Sequence, residues 1–428
     1  MDKKIHPVQS FTGTIEMPPD KSVSHRSAMF AALADGTSVI DNYSPAADPQ
    51  TTLKCLRQLG VAIESKGNTI TVRGKGRFGL ENPEIEVDCG NSGTTMRLLS
   101  GIIGGAGVTA TLIGDESLSA RTMKRILNPL SEMGIKIKAR EDAYAPLRIS
   151  RENDLKPLRY PLPVASAQVK SCVLLAGLFA EEETLVIETI PSRNHTEQML
   201  GLPVSKVGDE WHITSSASIE IKPRNYTIPG DFSSSAFWIV AALIYPNSEL
   251  LLTNTGINPT RTALLEILKR MGANITLENE RIEGAEPVAD IRVKSSALKA
   301  TDVFPDEIPN AIDELPILSV AMSFAEGTSS FREAGDLRHK ETDRIMAIAH
   351  ILEQAGVSFK EFEDGLEIQG NPDFIPSSAT YNSFHDHRIA MASAIMSGKS
   401  TGTSVVRHAE SAAVSYPGFW EDLTKVSA

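Results

Sequence analysis

Cysteine is scarce: Cys55, Cys89 and Cys172 are three in 428 residues, odd in number and isolated, with no CxxC spacing. That excludes a disulfide framework and the usual zinc and redox motifs, and it leaves buried free thiols as the reading. Positive charge is also in deficit, with 42 Lys and Arg against 54 Asp and Glu and a formal net charge of −12. A general nucleic-acid binder is therefore excluded, and cations matter only where folding concentrates them. No stretch approaches the roughly 18 uninterrupted apolar residues of a membrane helix. The opening Met1-Asp2-Lys3-Lys4-Ile5-His6-Pro7 has no apolar leader segment. A soluble, cytoplasmic protein is the expectation.

What the chain does have is a recurring pattern: a polar or Ser-rich start, an apolar helix of small residues, then a turn into a strand. It occurs six times, at intervals of about 65 to 80 residues. The starts are Lys21-Ser22-Val23-Ser24, Asn91-Ser92-Gly93-Thr94-Thr95, Ser166-Ala167-Gln168-Val169-Lys170, Asp231-Phe232-Ser233-Ser234-Ser235, Asp313-Glu314-Leu315-Pro316 and His385-Asp386-His387-Arg388. These first helices are apolar nearly all round, which predicts burial. A second, amphipathic helix follows in most repeats and ends at a glycine before a strand, at Gly60, Gly134, Gly272 and Gly356. An α/β (α+β) fold with an inner and an outer helix per repeat follows. Six repeats exceed one core, so two domains of three are expected. They are 19–229, and 1–18 with 230–428, with crossovers near 18–20 and 227–231 acting as a hinge. Met17-Pro18-Pro19 and Pro229-Gly230 punctuate the chain there.

A buried helix start offers free N–H groups and the positive end of the macrodipole to an anion. Lys21, Arg26, Asn91, Arg97, Gln168, Lys170 and Arg388 lie at or close to the starts. If the starts of both domains converge on one interdomain cleft, they would focus positive field on a small polyanion. A polar cap with a solvated first turn would account for any one start, but not for the recurrence. The densest charged stretch elsewhere is Asp336-Leu337-Arg338-His339-Lys340-Glu341-Thr342-Asp343-Arg344-Ile345, read as the beginning of an outer helix with Lys340 and Arg344 on one face. Asp313 immediately precedes an apolar run. It is either a helix cap or a carboxylate able to take a proton from a substrate hydroxyl. His339, His385 and His387 form no convincing ligand set, so no metal is expected.

Asp20-Lys21-Ser22-Val23-Ser24-His25-Arg26, Gly90-Asn91-Ser92-Gly93-Thr94-Thr95, Ser166-Ala167-Gln168, Leu337 to Ile345 and Asp386-His387-Arg388-Ile389-Ala390-Met391 together resemble the 5-enolpyruvylshikimate-3-phosphate (EPSP) synthases. The resemblance runs nearly end to end. It implies the enolpyruvyl transferase fold, two domains each of three βαβαββ units. It also implies transfer of the enolpyruvyl group of phosphoenolpyruvate to the 5-hydroxyl of shikimate 3-phosphate, with release of phosphate and with no metal or organic cofactor. That reaction belongs to the shikimate pathway of aromatic amino acid biosynthesis and is the target of glyphosate. By the resemblance, Lys21, Ser22, Arg26, Ser166, Ala167, Gln168, Arg193, Asp313 and Lys340 surround shikimate 3-phosphate. Lys21, Asn91, Gly93, Arg121, Gln168, Arg344 and Arg388 surround phosphoenolpyruvate. Asp313 would be the base for the hydroxyl, Glu341 the acid and base at the methylene, and Lys21 an electrostatic clamp.

Two departures point to the second sequence class of the family. Val414 stands where many members carry a lysine, and Ser166-Ala167-Gln168 stands where some carry a serine pair, with Arg193 available to offset the lost contacts. The related UDP-N-acetylglucosamine enolpyruvyl transferases usually carry a cysteine in a mobile loop, and 114–121 contains none. A non-catalytic anion-binding protein could dispense with Asp313 and Glu341, yet both are present. The expected partners are the two small substrates, without nucleic acid or membrane, and the expected state is a monomer.

Overall fold

The computed structural model describes residues 1–428 and divides into two compact units. An N-terminal unit comprises Pro19–Ile228 with Gly284–Glu286, and a C-terminal unit comprises Met1–Pro18, Pro229–Glu283 and Pro287–Ala428. Proline stands at the crossings Pro18–Pro19, Ile228–Pro229 and Glu286–Pro287, where it fixes φ and biases the preceding residue toward extended backbone; the crossing at Glu283–Gly284 has none. Each unit has its own continuous apolar core.

The N-terminal unit holds three four-stranded sheets. One orders Tyr226–Thr227, Asp35–Asp41, Thr69–Lys75 and Ala62–Lys66; the second Val87–Asp88, Ala110–Ile113, Tyr144–Ser150 and Lys136–Arg140; the third Arg159–Pro161, Thr184–Glu188, Glu210–Ser215 and Val204–Val207. In each, the first pair is parallel and the other two pairs are antiparallel. The C-terminal unit repeats the scheme in Asp302–Val303, Gly327–Phe331, Gly365–Gly370 and Ser358–Phe362. Its other sheets join Thr12–Glu16 to Glu249–Gly256, and Thr380–Asn382 to Ser404–Arg407 with Lys3–Ile5 on the outer edge.

Two strands are separated from the inner helices that they precede. The strand preceding the first inner helix, Thr12–Glu16, pairs in the C-terminal unit with Glu249–Gly256. The strand preceding the fourth, Tyr226–Thr227, pairs in the N-terminal unit with Asp35–Asp41. Each unit thus completes its set of sheets with a strand from the far end of its own chain segments.

The inner helices are Lys21–Leu33, Gly93–Ala106, Ala167–Gly177, Phe232–Ile244, Leu315–Ser323 and His387–Ser397. Their burial follows from composition: Phe232–Ile244 is buried at every position. A buried helix needs its first N–H groups satisfied, and five of the six do this with a side chain. Asp20, Ser92, Ser166, Asp231 and Asp386 accept from Val23, Thr95, Val169, Ser234 and Arg388 at 2.8, 3.1, 3.5, 2.9 and 2.8 Å. The fifth has no side-chain cap, with Glu314 at the capping position and Pro316 in the first turn. The capping position thus falls at Glu314, one residue after Asp313. The glycines expected after outer helices, Gly60, Gly134, Gly272 and Gly356, all take left-handed φ, between 84° and 94°.

The second and third inner helices approach so closely that a Cβ on Gly101 would lie 2.3 Å from the carbonyl oxygen of Cys172. An alanine there should gain up to about 1 kcal/mol in helix propensity. The clash is with backbone that cannot rotate away, and overpacking costs about 1–3 kcal/mol or more, so it wins. Gly101→Ala is expected to lower the urea midpoint, and an unchanged or raised midpoint would show that the helices can part freely.

Candidate active site

In the N-terminal unit, the first inner helix carries Lys21, Ser22 and Arg26 on its first two turns. Lys21 Nζ lies 2.5 Å from Asp48 Oδ2, on the outer helix Ala47–Gln58. Arg26 is buried, and its guanidinium spans three elements: Nε donates to Thr196 Oγ1 at 2.8 Å, Nη2 to Ser171 Oγ at 2.9 Å and Nη1 to the Ser22 carbonyl at 3.2 Å. Burial brings its pKa down to about 10, Glu197 opposes that shift, and neighbouring Arg193 adds to it. Arg26 keeps its charge at neutral pH, and a second cation stands close enough to repel it. A pair of repelling cations is a place where an anion relieves strain. His25, between Lys21 and Arg26 in sequence, is buried against Thr52 at 2.6 Å, and burial with the charges of Lys21 and Arg26 holds it neutral.

The second inner helix begins at Gly93, with Asn91 just outside it. Arg121 Nη2 donates to Asn91 Oδ1 at 2.7 Å and to Ser117 Oγ at 3.0 Å, while Asn91 Nδ2 donates to Asp115 at 2.8 Å. A Cβ on Gly93 would lie 2.6 Å from Arg97 Nη1 and 3.7 Å from Arg121 Nη1, so the missing side chain is what lets two guanidiniums close in. Arg97 also donates to Gln168 Oε1 at 2.7 Å, and Gln168 Nε2 donates to Thr94 Oγ1 at 3.1 Å, which orients the amide of the third inner helix. Ser166 caps that helix and Ala167 opens it.

Lys170 is different from what its position in sequence implies. It lies near a helix start but is fully buried, with Nζ 2.8 Å from Glu188 Oε1, 2.7 Å from Glu197 Oε1 and 3.0 Å from the Ser192 carbonyl. Glu188 in turn accepts from Ser192 N and Oγ at 3.2 and 2.8 Å. This cation is committed to holding the segment that carries Arg193, and it is withdrawn from the set of anion ligands.

In the C-terminal unit one residue organises the rest. Arg344 is 1% exposed, with Nε 2.8 Å from Asp386 Oδ2, Nη1 3.2 Å from Asp313 Oδ1 and Nη2 2.7 Å from Glu341 Oε2. Burial works against its charge, but Asp386, Glu341 and Asp313 more than offset that and hold its pKa above the ordinary arginine value. Asp313 also meets Lys340 Nζ at 3.3 Å and Arg388 Nη2 at 3.8 Å, and its carbonyl accepts from Arg388 Nη1 at 2.9 Å. Three cations thus surround one carboxylate.

The local structure at Lys340 corrects the reading of a continuous helix start. Gly335–His339 is a 3-10 turn, and the outer helix Arg344–Ala355 begins after Asp343, whose Oδ1 accepts from Met346 N at 3.0 Å. Lys340 and Glu341 lie in the link between them. They reach Asp313 and Arg344 because the chain is extended there, with ψ −155° at Lys340, rather than through helical spacing.

Asp48, Thr94, Thr196, Asp386 and Glu314 were not singled out as site residues from sequence, yet each contacts one that was, or lies beside it. Glu314 Oε1 accepts from the Ser233 hydroxyl and lies 3.5 Å from Arg388 Nη1. Asp386 had a signal, since it sits inside the Asp386-His387-Arg388 motif. Thr94 and Glu314 likewise lie inside the starts Asn91 to Thr95 and Asp313 to Pro316, whereas Asp48 and Thr196 are remote in sequence from the residues they contact, with nothing local to mark them.

Two α/β units of repeated parallel-then-antiparallel sheets, with cations and carboxylates at buried helix starts, define the class: the enolpyruvyl transferase fold. Its likeness to the enolpyruvyl transferase NikO of Streptomyces tendae, TM-score 0.77 at 17% identity over 99% of this chain and 97% of that one, is a likeness of fold alone. The family is narrower. Residues 5–423 match the family described as EPSP synthase (3-phosphoshikimate 1-carboxyvinyltransferase). The 3-phosphoshikimate 1-carboxyvinyltransferase of Salinibacter ruber (strain DSM 13855 / M31) is 50% identical over 431 residues, covering 100% of both chains. That of Geobacillus kaustophilus (strain HTA426) is 45% identical over 97% of this chain and 98% of its own. The EPSP synthase structure from Acinetobacter baumannii superposes with TM-score 0.87 at 41% identity, over 100% of this chain and 98% of that one. The chain belongs to the EPSP synthase family and is a carboxyvinyl transferase.

Removing Lys170 would leave Glu188 and Glu197 buried without their shared cation. Loss of one partner from a buried ion pair costs about 3–5 kcal/mol. Lys170→Met should lower unfolding free energy in urea by that amount, and Glu188→Gln with Glu197→Gln in the same chain should restore part of it. A variant as stable as the parent would contradict the assignment of Lys170 to structure.

Proposed function

We propose that this chain transfers the enolpyruvyl group of phosphoenolpyruvate to the 5-hydroxyl of shikimate 3-phosphate and releases inorganic phosphate, through a tetrahedral intermediate. The observation that carries the residue roles is the pairing of Asp313 and Glu341 with the single buried guanidinium of Arg344. The reaction needs two proton movements at neighbouring atoms and a polyanion held beside them. A base must take the hydroxyl proton as oxygen attacks C2, and an acid must protonate the C3 methylene to give a methyl group. The same group must take a proton back from C3 as phosphate leaves.

In our reading Asp313 is the base for the hydroxyl and Glu341 the acid and base at C3. Lys21, Arg121, Arg344 and Arg388 bind the phosphate and carboxylate of phosphoenolpyruvate, with Asn91, Gly93 and Gln168 lining that pocket. Ser22, Arg26, Ser166, Ala167, Gln168, Arg193 and Lys340 bind shikimate 3-phosphate, with Lys21 and Asp313 shared. What supports the phosphate role of Arg193 is its repulsion with Arg26, which an anion would relieve. What supports the clamp roles is that Lys21, Arg344 and Arg388 are all held against carboxylates, so substrate anions would meet cations already oriented. At Val414 the chain supplies no cation, and Arg121 and Arg388 carry the load.

We also adopt a division into 19–229, and 1–18 with 230–428, as two domains of three βαβαββ units, supported by the separate apolar cores. A monomer acting in the cytoplasm completes the reading. The three buried free thiols suit a reducing compartment, and no helix is long and apolar enough to cross a membrane.

Phosphate release measured with phosphoenolpyruvate and either shikimate 3-phosphate or UDP-N-acetylglucosamine tests the function. Release with the first acceptor alone is expected, and release only with the second would overturn the proposal. A well-placed acid or base contributes about 10² to 10⁴ in rate. Asp313→Asn and Glu341→Gln should each lower kcat by that factor with KM little raised. A rise in KM at unchanged kcat would mean that these carboxylates serve binding alone.

A further inference from the structure

Outside this machinery, one cluster of donor side chains has no assigned role. His385 follows the strand Thr380–Asn382, and His408 follows its parallel neighbour Ser404–Arg407, with Asn382 opposite Arg407 in register. Both histidines take left-handed backbone, at φ 60° and 53°. Non-glycine residues seldom adopt that conformation and persist in it where surrounding structure demands it. Here the turns are tied together: Ser383 Oγ donates to the His408 carbonyl at 3.2 Å, and Asp386 N donates to the Ser383 carbonyl at 2.9 Å. The two rings consequently face one another, with centroids 3.9 Å apart and planes 34° apart.

A carboxylate completes the set. Glu410, in the turn Ala409–Val414, places Oε1 3.9 Å from His408 Nδ1, while the amino group of Met1 engages Oε2 at 2.5 Å and leaves Oε1 available. One ligand atom from each of His385, His408 and Glu410 lies within 4.8 Å of the others. Ligand atoms around a tetrahedral zinc ion stand roughly 3.3 Å apart, given bonds near 2.0–2.1 Å. His385 and Glu410 are exposed, and their side chains would rotate to close that gap on binding.

We propose that His385, His408 and Glu410 bind one divalent transition-metal ion. Two imidazoles and one carboxylate suit Zn²⁺, Co²⁺, Ni²⁺ or Cu²⁺, whereas Mg²⁺ and Ca²⁺ prefer all-oxygen sets. Three protein ligands leave a fourth position for water. The ion would bridge two turns, one of which runs directly into Asp386, the cap of the sixth inner helix and the partner of Arg344. Its effect is therefore to hold that turn in place, and it takes no part in the proton transfers. The sequence considered His385 only beside His339 and His387; the fold brings it to His408 and Glu410 instead.

The test is equilibrium dialysis of the full chain, stripped with a chelator, against Zn²⁺ alone. One equivalent should bind at low micromolar concentration. Asparagine tolerates left-handed backbone, so His385→Asn and His408→Asn keep the turns while removing a ligand. Each should weaken binding at least about tenfold, as loss of even an outer-shell partner does. His6→Ala, an exposed imidazole bonded to Thr403, should leave binding unchanged. Failure of the parent chain to bind Zn²⁺ at about 100 μM, far above the affinity expected of a three-ligand site, would overturn the proposal. Equal binding by the His385→Asn/His408→Asn double variant would overturn it as well.

Discussion

The candidate site depends on a buried arginine that satisfies three carboxylates at once. Arg344 is the first residue of an outer helix and is almost wholly inside the protein, where a lone guanidinium would be costly. Its planar fork solves the problem in a way that a lysine could not, since separate nitrogens bond Asp386, Asp313 and Glu341. Each carboxylate comes from a different part of the chain: the sixth inner helix start, the fifth, and the link before Arg344 itself. The guanidinium is thus the point at which three separately folded segments acquire one geometry.

The rest of the architecture serves such convergence. An inner helix with apolar residues on every face can be buried only if its first N–H groups find partners, and Asp or Ser at five of the starts supplies them. Short caps also keep the helix starts open to other groups. Where a cap is absent, at Glu314, the carboxylate bonds Ser233 and approaches Arg388, so the fifth start is knitted to the fourth and sixth. In the N-terminal unit the same logic uses cations: Arg26 joins the first inner helix to Ser171 and Thr196, and Lys170 secures the segment leading to Arg193.

Much of this was legible in the sequence because it is local. Six polar starts before apolar runs, and glycines at the ends of outer helices, are short-range patterns, and Gly60, Gly134, Gly272 and Gly356 take the left-handed backbone the pattern demands. The resemblance to the EPSP synthase family is likewise carried by short motifs in order, and the family match spans residues 5–423. What could not be read is what depends on pairing across distance. Proline punctuates the chain beside Thr12–Glu16 and Tyr226–Thr227, but nothing local names their partners, Glu249–Gly256 and Asp35–Asp41. Lys170 looks like an anion ligand until burial against Glu188 and Glu197 assigns it elsewhere, and Lys340 reaches Asp313 through an extended link that helical periodicity misreads. His408 and Glu410 join His385 only through the register of two parallel strands.

The central claim is that Arg344 and Asp313 act as one unit in the transition state. A double-mutant cycle on kcat/KM for phosphoenolpyruvate, using Arg344→Lys, Asp313→Asn and the pair together, tests it most directly. Contacting residues in one network couple by about 0.5–3 kcal/mol, and that range is the predicted result. Effects that add to within about 0.3 kcal/mol, as for residues that share no partner, would contradict the account.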